Sequence, residues 1–223
     1  MLFFVPNYIF QDKTVGKLSI GKLVCLARTY KKHAEEMQSK LPERPVLFLK
    51  PASSVIFDGE SIVYPKMSNC LHHEVELGVV IGKKCINVSK DEALEYVLGY
   101  CVCLDITARD IQSELKKKGL PWSIAKGFDT FAPISNIALK EKVDNPSNLD
   151  LWLKVNGEIR QSSNTNNMIF SVEEIIEFIS GVMTLEKGDF IMTGTPEGVA
   201  EINKGDVLEA NLDDICSLTV DVS

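Results

Sequence analysis

No stretch of this chain approaches the roughly 18 uninterrupted apolar residues that a membrane-spanning helix needs, and nowhere does it carry a basic block or an arginine-rich stripe. The first absence speaks against a membrane protein. The second, with a formal net charge of −7, speaks against nucleic acid as a partner, because most of such a surface repels a phosphate backbone. The six cysteines (Cys25, Cys70, Cys85, Cys101, Cys103 and Cys216) include no CxxC pair with zinc spacing, so they read as free thiols in a reducing compartment. Residues 1–10 are apolar but lack a basic leading segment, are broken by Pro6 and Asn7, and end without a small-residue cleavage site. They do not fit a secretory signal. With no transit segment recognisable, the expected location is cytoplasmic rather than mitochondrial.

Internal repeats, low-complexity tracts and flexible linkers are missing too, which argues against a solenoid, a disordered tail or a chain of separate modules. What is present is a chain of 223 residues with 45% hydrophobic content, enough to bury one sizeable core. The simplest organisation is a single domain over residues 1–223, with residues 1–17 as an N-terminal extension.

The hydrophobic pattern is mostly that of strands. Residues 18–26, 46–50, 74–82 and 98–106 run apolar or alternate, as do 189–199, 205–212 and the C-terminal SLTVDV, each bounded by turn residues. Within 149–161 the Asn156-Gly157 dipeptide sits between apolar alternations, the strongest short-range hairpin signal. Three segments read as helices. Residues 29–39 are polar and stopped by Pro42 and Pro45; 89–97 and 171–180 each open with serine followed three residues later by glutamate, the spacing of a capping box. The βαβ alternation is too sparse for a doubly wound sheet. The expected fold is therefore a mixed, β-rich α+β roll or sandwich with flanking helices.

Glu74 and Glu76 stand two apart in a strand pattern and project from one face, with α-carbons roughly 6.7 Å apart. If both were ionised in a partly buried strand, their repulsion at about 6 Å would cost on the order of 3 kcal/mol at an effective dielectric near 20. A divalent cation between them reverses that sign. Asp105 ends the apolar run Cys101-Val102-Cys103-Leu104, where a lone carboxylate is costly unless it is paired or ligates a metal. Three carboxylates without thiolates suit a hard cation, Mg²⁺ or Mn²⁺. The plainer alternative is a solvated glutamate face, with Asp105 capping a turn or pairing with Arg109. His72 and His73 are open to either a ligating or a supporting role.

An ordered set of short motifs runs along the chain: Arg28-Thr29-Tyr30, His33 with Glu36, Phe48-Leu49-Lys50-Pro51, His73-Glu74-Val75-Glu76-Leu77, Asp105 to Asp110, Lys126-Gly127-Phe128-Asp129, and Thr193 to Val199. In that order, over roughly residues 18–222, they resemble the fumarylacetoacetate hydrolase (FAH) family. The stretches Lys116 to Trp122 and Leu151 to Gly157 are most similar to its branch of acylpyruvate hydrolases and oxaloacetate decarboxylases or tautomerases. The resemblance implies an FAH-type β-sandwich roll and a homodimer. It also implies Mg²⁺ or Mn²⁺ held by Glu74, Glu76 and Asp105, and a small 2-keto dicarboxylic or diketo acid as substrate.

Under that resemblance Lys126 supplies a second positive charge near a developing oxyanion; taken alone it reads as a strand-edge lysine paired with Asp129. His33 and Glu36, i and i+3 on one helix face, would activate water, although charged helix faces are more often merely solvated. The helix, which precedes the Pro-bearing segment 41–46, would act as a lid that orders over bound substrate. Arg28, Arg109, Gln112 and Thr195 would bind substrate, whereas Arg109 by itself would pair with Asp105 or Asp110. One pyruvate enolate, stabilised by the metal as a Lewis acid, would serve acylpyruvate hydrolysis, oxaloacetate decarboxylation and keto–enol tautomerisation alike. The competing readings are an isomerase or decarboxylase of unsaturated dicarboxylates, and a metal-dependent binding protein that has kept the fold without the chemistry.

Overall fold

A computed structural model describes residues 6–36 and 40–223. Residues 1–5 of the apolar N-terminal stretch and 37–39 of the expected first helix lie outside the described residues. The architecture is mostly β, as the pattern predicts. An eight-stranded sheet runs in the order Val46–Lys50, Leu23–Ala27, Phe190–Met192, Val75–Ile81, Val97–Leu104, Ala132–Ile134, Val55–Phe57, with Ala138–Leu139 also paired to Val97–Leu104. A five-stranded sheet (Glu158–Asn164, Asp150–Val155, Val207–Leu212, Cys216–Val222, Ser61–Ile62) packs against it, and a three-stranded sheet joins Glu201–Ile202, Leu71–His72 and Thr107–Ala108.

The two large sheets differ as their sequences do. Every residue of Val75–Ile81 is buried, because this strand lies inside the large sheet with side chains covered on both faces. Cys216–Val222 alternates buried and exposed throughout, the signature of a sheet with one wet face. Gly78 allows the close approach at the centre, since a Cβ there would lie 2.4 Å from the Phe190 ring and 2.7 Å from Cys101 Sγ. Asn156 and Gly157 turn the hairpin with φ of 52° and 80°, the left-handed pair that a tight type I′ turn demands.

The helix Val172–Val182 forms with its capping box complete: Glu174 N–H donates to Ser171 Oγ (3.4 Å) and Ser171 N–H to Glu174 Oε2 (2.9 Å). The box expected at Ser89 does not form. Ser89 Oγ donates instead to the Glu92 carboxylate (2.7 Å), while Glu92 N–H goes to the Ser89 carbonyl (3.2 Å). That i+3 backbone bond winds Lys90–Tyr96 as a 3₁₀ segment rather than an α-helix.

Two boundaries move for tertiary reasons. The first strand starts at Leu23 rather than residue 18, because the Ile20 N–H goes to the Pro6 carbonyl (2.9 Å) and the Lys22 N–H to Asp189 Oδ1 (3.0 Å) instead of to a strand neighbour. The first helix starts at Lys31, because the Thr29 carbonyl takes the Ile169 N–H at 2.7 Å and Tyr30 bridges to Met168. Residues 6–17 are tied down as well: Tyr8 and Phe10 are in the core, and Tyr8 Oη donates to the Gly188 carbonyl at 3.0 Å. All six cysteines are free thiols, and five are buried. Among the described residues no helix is long and apolar enough to cross a membrane.

Candidate active site

Strand register assembles the three acids. Val75 pairs with Leu104 and Glu76 with Cys103, so Asp105, one residue past Leu104, falls beside Glu74, and its N–H donates to the Glu74 carbonyl at 2.8 Å. Oxygens of Glu74, Glu76 and Asp105 lie within 4.8 Å of one another. Glu76 and Asp105 are fully buried and Glu74 is 6% exposed. The solvated-face alternative is thereby excluded.

Three cations surround this cluster. Lys126 Nζ reaches Glu74 Oε2 (2.9 Å) and Asp105 Oδ2 (2.5 Å), and the Arg109 guanidinium pairs with Glu74 Oε1. Lys50 Nζ lies 2.7 Å from Asp105 Oδ1, yet its hydrogen bonds go to the carbonyls of Ile106, Lys126 and Phe131 (3.0, 2.6 and 2.8 Å). An ammonium has only three protons, so Lys50 gives Asp105 Oδ1 its charge but no hydrogen bond. Two buried carboxylate oxygens, Glu76 Oε1 and Asp105 Oδ1, thus have no hydrogen-bond donor.

The charge states follow. Burial pushes the Glu76 carboxyl well up, reinforced by Asp105 and Glu74 and only partly offset by the Gly194 N–H. Burial alone would raise Glu74 too, but Lys126 and Arg109 outweigh it and hold that carboxyl far below the usual range. Burial opposes the Lys126 charge, while Asp105 and Glu74 raise its pKa. Three close carboxylates, all-oxygen donors and two orphaned buried oxygens fit a hard divalent ion such as Mg²⁺ or Mn²⁺.

A cavity of about 320 Å³ reaches the cluster at Glu74 and is lined also by Lys126, His33, Arg109, Gln112 and Thr195, and by Arg28, Phe48, Lys116 and Trp122. His33 is 7% exposed, not a solvated helix residue. Its Nδ1 lies 3.4 Å from Glu36 Oε2, and the Glu36 carboxylate accepts the Gly198 N–H at 3.2 and 3.3 Å. With the Nδ1 proton turned to Glu36, Nε2 carries the lone pair. Of the helix 29–39 expected as a lid, residues 37–39 lie outside the described residues.

Three pairings differ from the simplest expectations. Lys126 lies on the short helix Ser123–Lys126, not at a strand edge, and turns inward to Glu74 and Asp105 instead of Asp129. Arg109 pairs with Glu74 rather than Asp105 or Asp110, donates to His72 Nδ1 (3.3 Å) and to Gln112 Oε1 (2.6 Å), and leaves the Gln112 NH₂ as that side chain's donor. Asp110 is taken by Ser68 Oγ at 2.6 Å and the Asn69 N–H at 2.8 Å.

Thr195 donates its hydroxyl proton to the Val75 carbonyl (2.8 Å) and accepts from Gln161 Nε2 (2.8 Å). In this arrangement it braces the loop and has no proton left for a substrate carboxylate. Gln161 is the centre of that brace: its Oε1 faces His73 Nδ1 (2.9 Å) and accepts the Val75 N–H (3.0 Å), and its Nε2 also donates to the Pro196 carbonyl (3.0 Å). His73 supports the site from behind. Gln161 does not stand out as a site residue in the sequence; Lys50 is marked there only by the motif Phe48-Leu49-Lys50-Pro51 and by its charge at the end of an otherwise apolar strand.

Gly194 is required where it stands. Its φ is +93°, a Cβ would lie 2.0 Å from Thr29 Oγ1, and its N–H donates to Glu76 Oε2 at 2.7 Å.

A β-rich fold of this topology, with three clustered buried carboxylates reached by a cavity through Glu74 and Lys126, is that of the fumarylacetoacetate hydrolases, and the chain belongs to this family: residues 22–223 match the model described as fumarylacetoacetate (FAA) hydrolase C-terminal. Among individual proteins, it is 50% identical over 196 residues to the Bos taurus oxaloacetate tautomerase FAHD1, mitochondrial, covering 88% of this chain and 89% of the bovine protein. The crystal structure of fumarylpyruvate hydrolase from Pseudomonas aeruginosa in complex with Mn²⁺ and pyruvate superposes with a TM-score of 0.92 at 34% identity, covering 99% of this chain and 98% of that one. The 2-hydroxyhepta-2,4-diene-1,7-dioate isomerase from Mycobacterium marinum superposes with a TM-score of 0.81 at 37% identity, covering 91% and 74%.

Proposed function

We propose that this protein is a divalent-metal-dependent enzyme of small 2-keto and 2,4-diketo acids, acting by tautomerisation or decarboxylation of oxaloacetate and by C–C cleavage of acylpyruvates. The observation that carries this reading is the buried group Glu74, Glu76 and Asp105, within 4.8 Å, reached at Glu74 by a cavity lined by Lys126 and His33. When bound there, Mg²⁺ or Mn²⁺ supplies Lewis acidity toward a keto oxygen. Kinship with an oxaloacetate tautomerase and likeness to a pyruvate-bound hydrolase support the substrate class.

The chain's own residues then divide the work. Lys126, buried and charged, stabilises the oxyanion that develops as a proton leaves or a C–C bond breaks. His33 Nε2 takes a proton from water or from carbon, and Glu36 steadies the imidazolium. Gln112 and Arg109, which line the same cavity, orient the acid. A proton that can be moved to water can equally be moved to carbon, so one pair serves hydrolysis and tautomerisation.

The test follows pyruvate release from acetylpyruvate and from oxaloacetate, together with the ultraviolet decay of enol-oxaloacetate, in Mg²⁺ and in EDTA. Mg²⁺-dependent turnover of at least one substrate is expected; no turnover of any would overturn the proposal. Likeness to the Mycobacterium marinum isomerase favours a second reading, action on longer unsaturated diacids, which the same spectrometer tests. A non-catalytic binder would show an oxalate-induced, Mg²⁺-dependent rise in melting temperature without any turnover.

We place the active form as a homodimer, to be checked by light scattering, with no nucleic-acid or membrane partner. The free thiols support a reducing compartment; the cytoplasm is our assignment from the sequence, while the bovine relative's designation points to mitochondria. Cell fractionation decides between them.

A further inference from the structure

Charge in the cavity is not balanced. Deep inside, Arg109, Lys126 and Lys50 are engaged with Glu74 and Asp105. Arg28 and Lys116 line the same cavity, and neither side chain forms an ion pair or a hydrogen bond with any described residue. Arg28 Nε is buried without a partner, a costly condition for a group that carries charge. Its backbone is held at φ +61°, a conformation that a non-glycine residue keeps only where the surroundings impose it, and such residues gather at ligand sites.

An aromatic wall connects the two regions. Phe48 and Trp122 pack with ring centroids 5.8 Å apart; Lys126 Nζ stands 5.0 Å from the Phe48 ring and Lys116 Nζ 5.1 Å from the Trp122 ring. One cation therefore marks the carboxylate cluster and the other the next ring along the wall. Lys116 is solvent-exposed near the end of the helix Arg109–Lys117, on the face that carries Arg109 and Gln112 into the cavity. Partial desolvation of its ammonium and the nearby Arg109 lower its pKa, and an arriving anion would offset the repulsion from Arg109.

We propose that Arg28 and Lys116 form a receptor for a second carboxylate, so that the cavity selects diacids over keto acids with a neutral far end. The orientation rests on the function proposed above, with the 2-oxo acid end toward Glu74, Glu76 and Asp105. Arg28 contributes a planar donor fork that matches a carboxylate, and Lys116 a mobile point charge. Arg28 and Lys116 are specificity determinants here and take no part in proton transfer.

Binding of unreactive 2-hydroxy acids separates this proposal from the reaction itself. Lactate and malate share the 2-hydroxy acid end, and malate adds the distal carboxylate. Calorimetric titration of the Mg²⁺-loaded protein is expected to show malate binding at least about tenfold tighter than lactate, the worth of a hydrogen-bonded charge. In Arg28→Gln and in Lys116→Gln the gap should close to about threefold or less. Lys116 lies on an exposed helix surface, so its variant tests the idea even if Arg28→Gln fails to fold. A malate advantage that is absent in the wild type, or that survives both substitutions, overturns the receptor. If the gap behaves as expected while the wild type turns over no keto acid, the receptor stands and the proposed reaction falls.

Discussion

Replacing Lys126 by methionine probes the centre of the site, because this ammonium shares two carboxylates with the proposed cation. The side chain is 2% exposed and pairs with Glu74 at 2.9 Å and Asp105 at 2.5 Å. Removing one partner of a buried ion pair costs about 3–5 kcal/mol. For a chain of this size each kcal/mol moves the melting temperature by about 2–4 °C, so a fall of roughly 6–20 °C is expected in EDTA at pH 8. Saturating Mg²⁺ should shrink that fall, because the ion takes over the bared carboxylates.

Linkage then requires that the variant bind Mg²⁺ more tightly than the wild type. The removed unit charge, at about 4 Å and an effective dielectric near 20, corresponds to several kcal/mol of lost repulsion; a gain of about tenfold or more, at 1.4 kcal/mol per decade, is a conservative expectation. Calorimetry measures the affinity, and differential scanning fluorimetry the two melting temperatures. Turnover should drop by about 10²–10³, as for loss of one oxyanion donor. Equal destabilisation in EDTA and in Mg²⁺, with no gain in Mg²⁺ affinity, would refute the shared-carboxylate argument.

His33→Ala should abolish acetylpyruvate cleavage, which needs activated water, while leaving measurable oxaloacetate decarboxylation; parallel loss of both in the pyruvate-release assay would remove water activation as its specific role. Gln161→Leu strands the Val75 N–H and frees the Thr195 loop, so a loss of about 2–4 kcal/mol in urea unfolding is expected from the unsatisfied groups, with KM raised more than kcat is lowered. His72 has its pKa lowered to about 4 by burial and by Arg109. A base depressed in the folded state contributes stability that is present above its ordinary value and lost as pH falls through the folded one. The wild type should therefore lose stability between pH 6.5 and about 4, and His72→Gln should flatten that part of the curve in urea melts.

Some elements were legible because their determinants are local. Ser171 and Glu174 are three residues apart, so the capping box could be read directly, and Asn156-Gly157 declares its turn by backbone preference alone. Ser89 and Glu92 show the same spacing, yet there the two side chains bond to each other. Spacing says that a contact is within reach, and the competing partners decide whether it forms. The first helix failed at its start for a similar reason: Thr29 and Tyr30 are helix-compatible but engage Ile169 and Met168, far along the chain.

What the sequence determined by itself is the strand alternation, the Glu74-x-Glu76 pair on one face, the misfit of Asp105 at the end of an apolar run, and the ordered motifs of the family. These follow from periodicities of a few residues and from the cost of burying unpaired charge. Only the tertiary structure decided which charges meet. The register of two strands sets Asp105 beside Glu74, Lys126 arrives across 52 residues to Glu74, and Gln161 across 88 to His73. Such pairings depend on chain topology, and no local pattern encodes them. A lysine bound for the surface and one bound for a metal cluster are the same letter until the core closes around it.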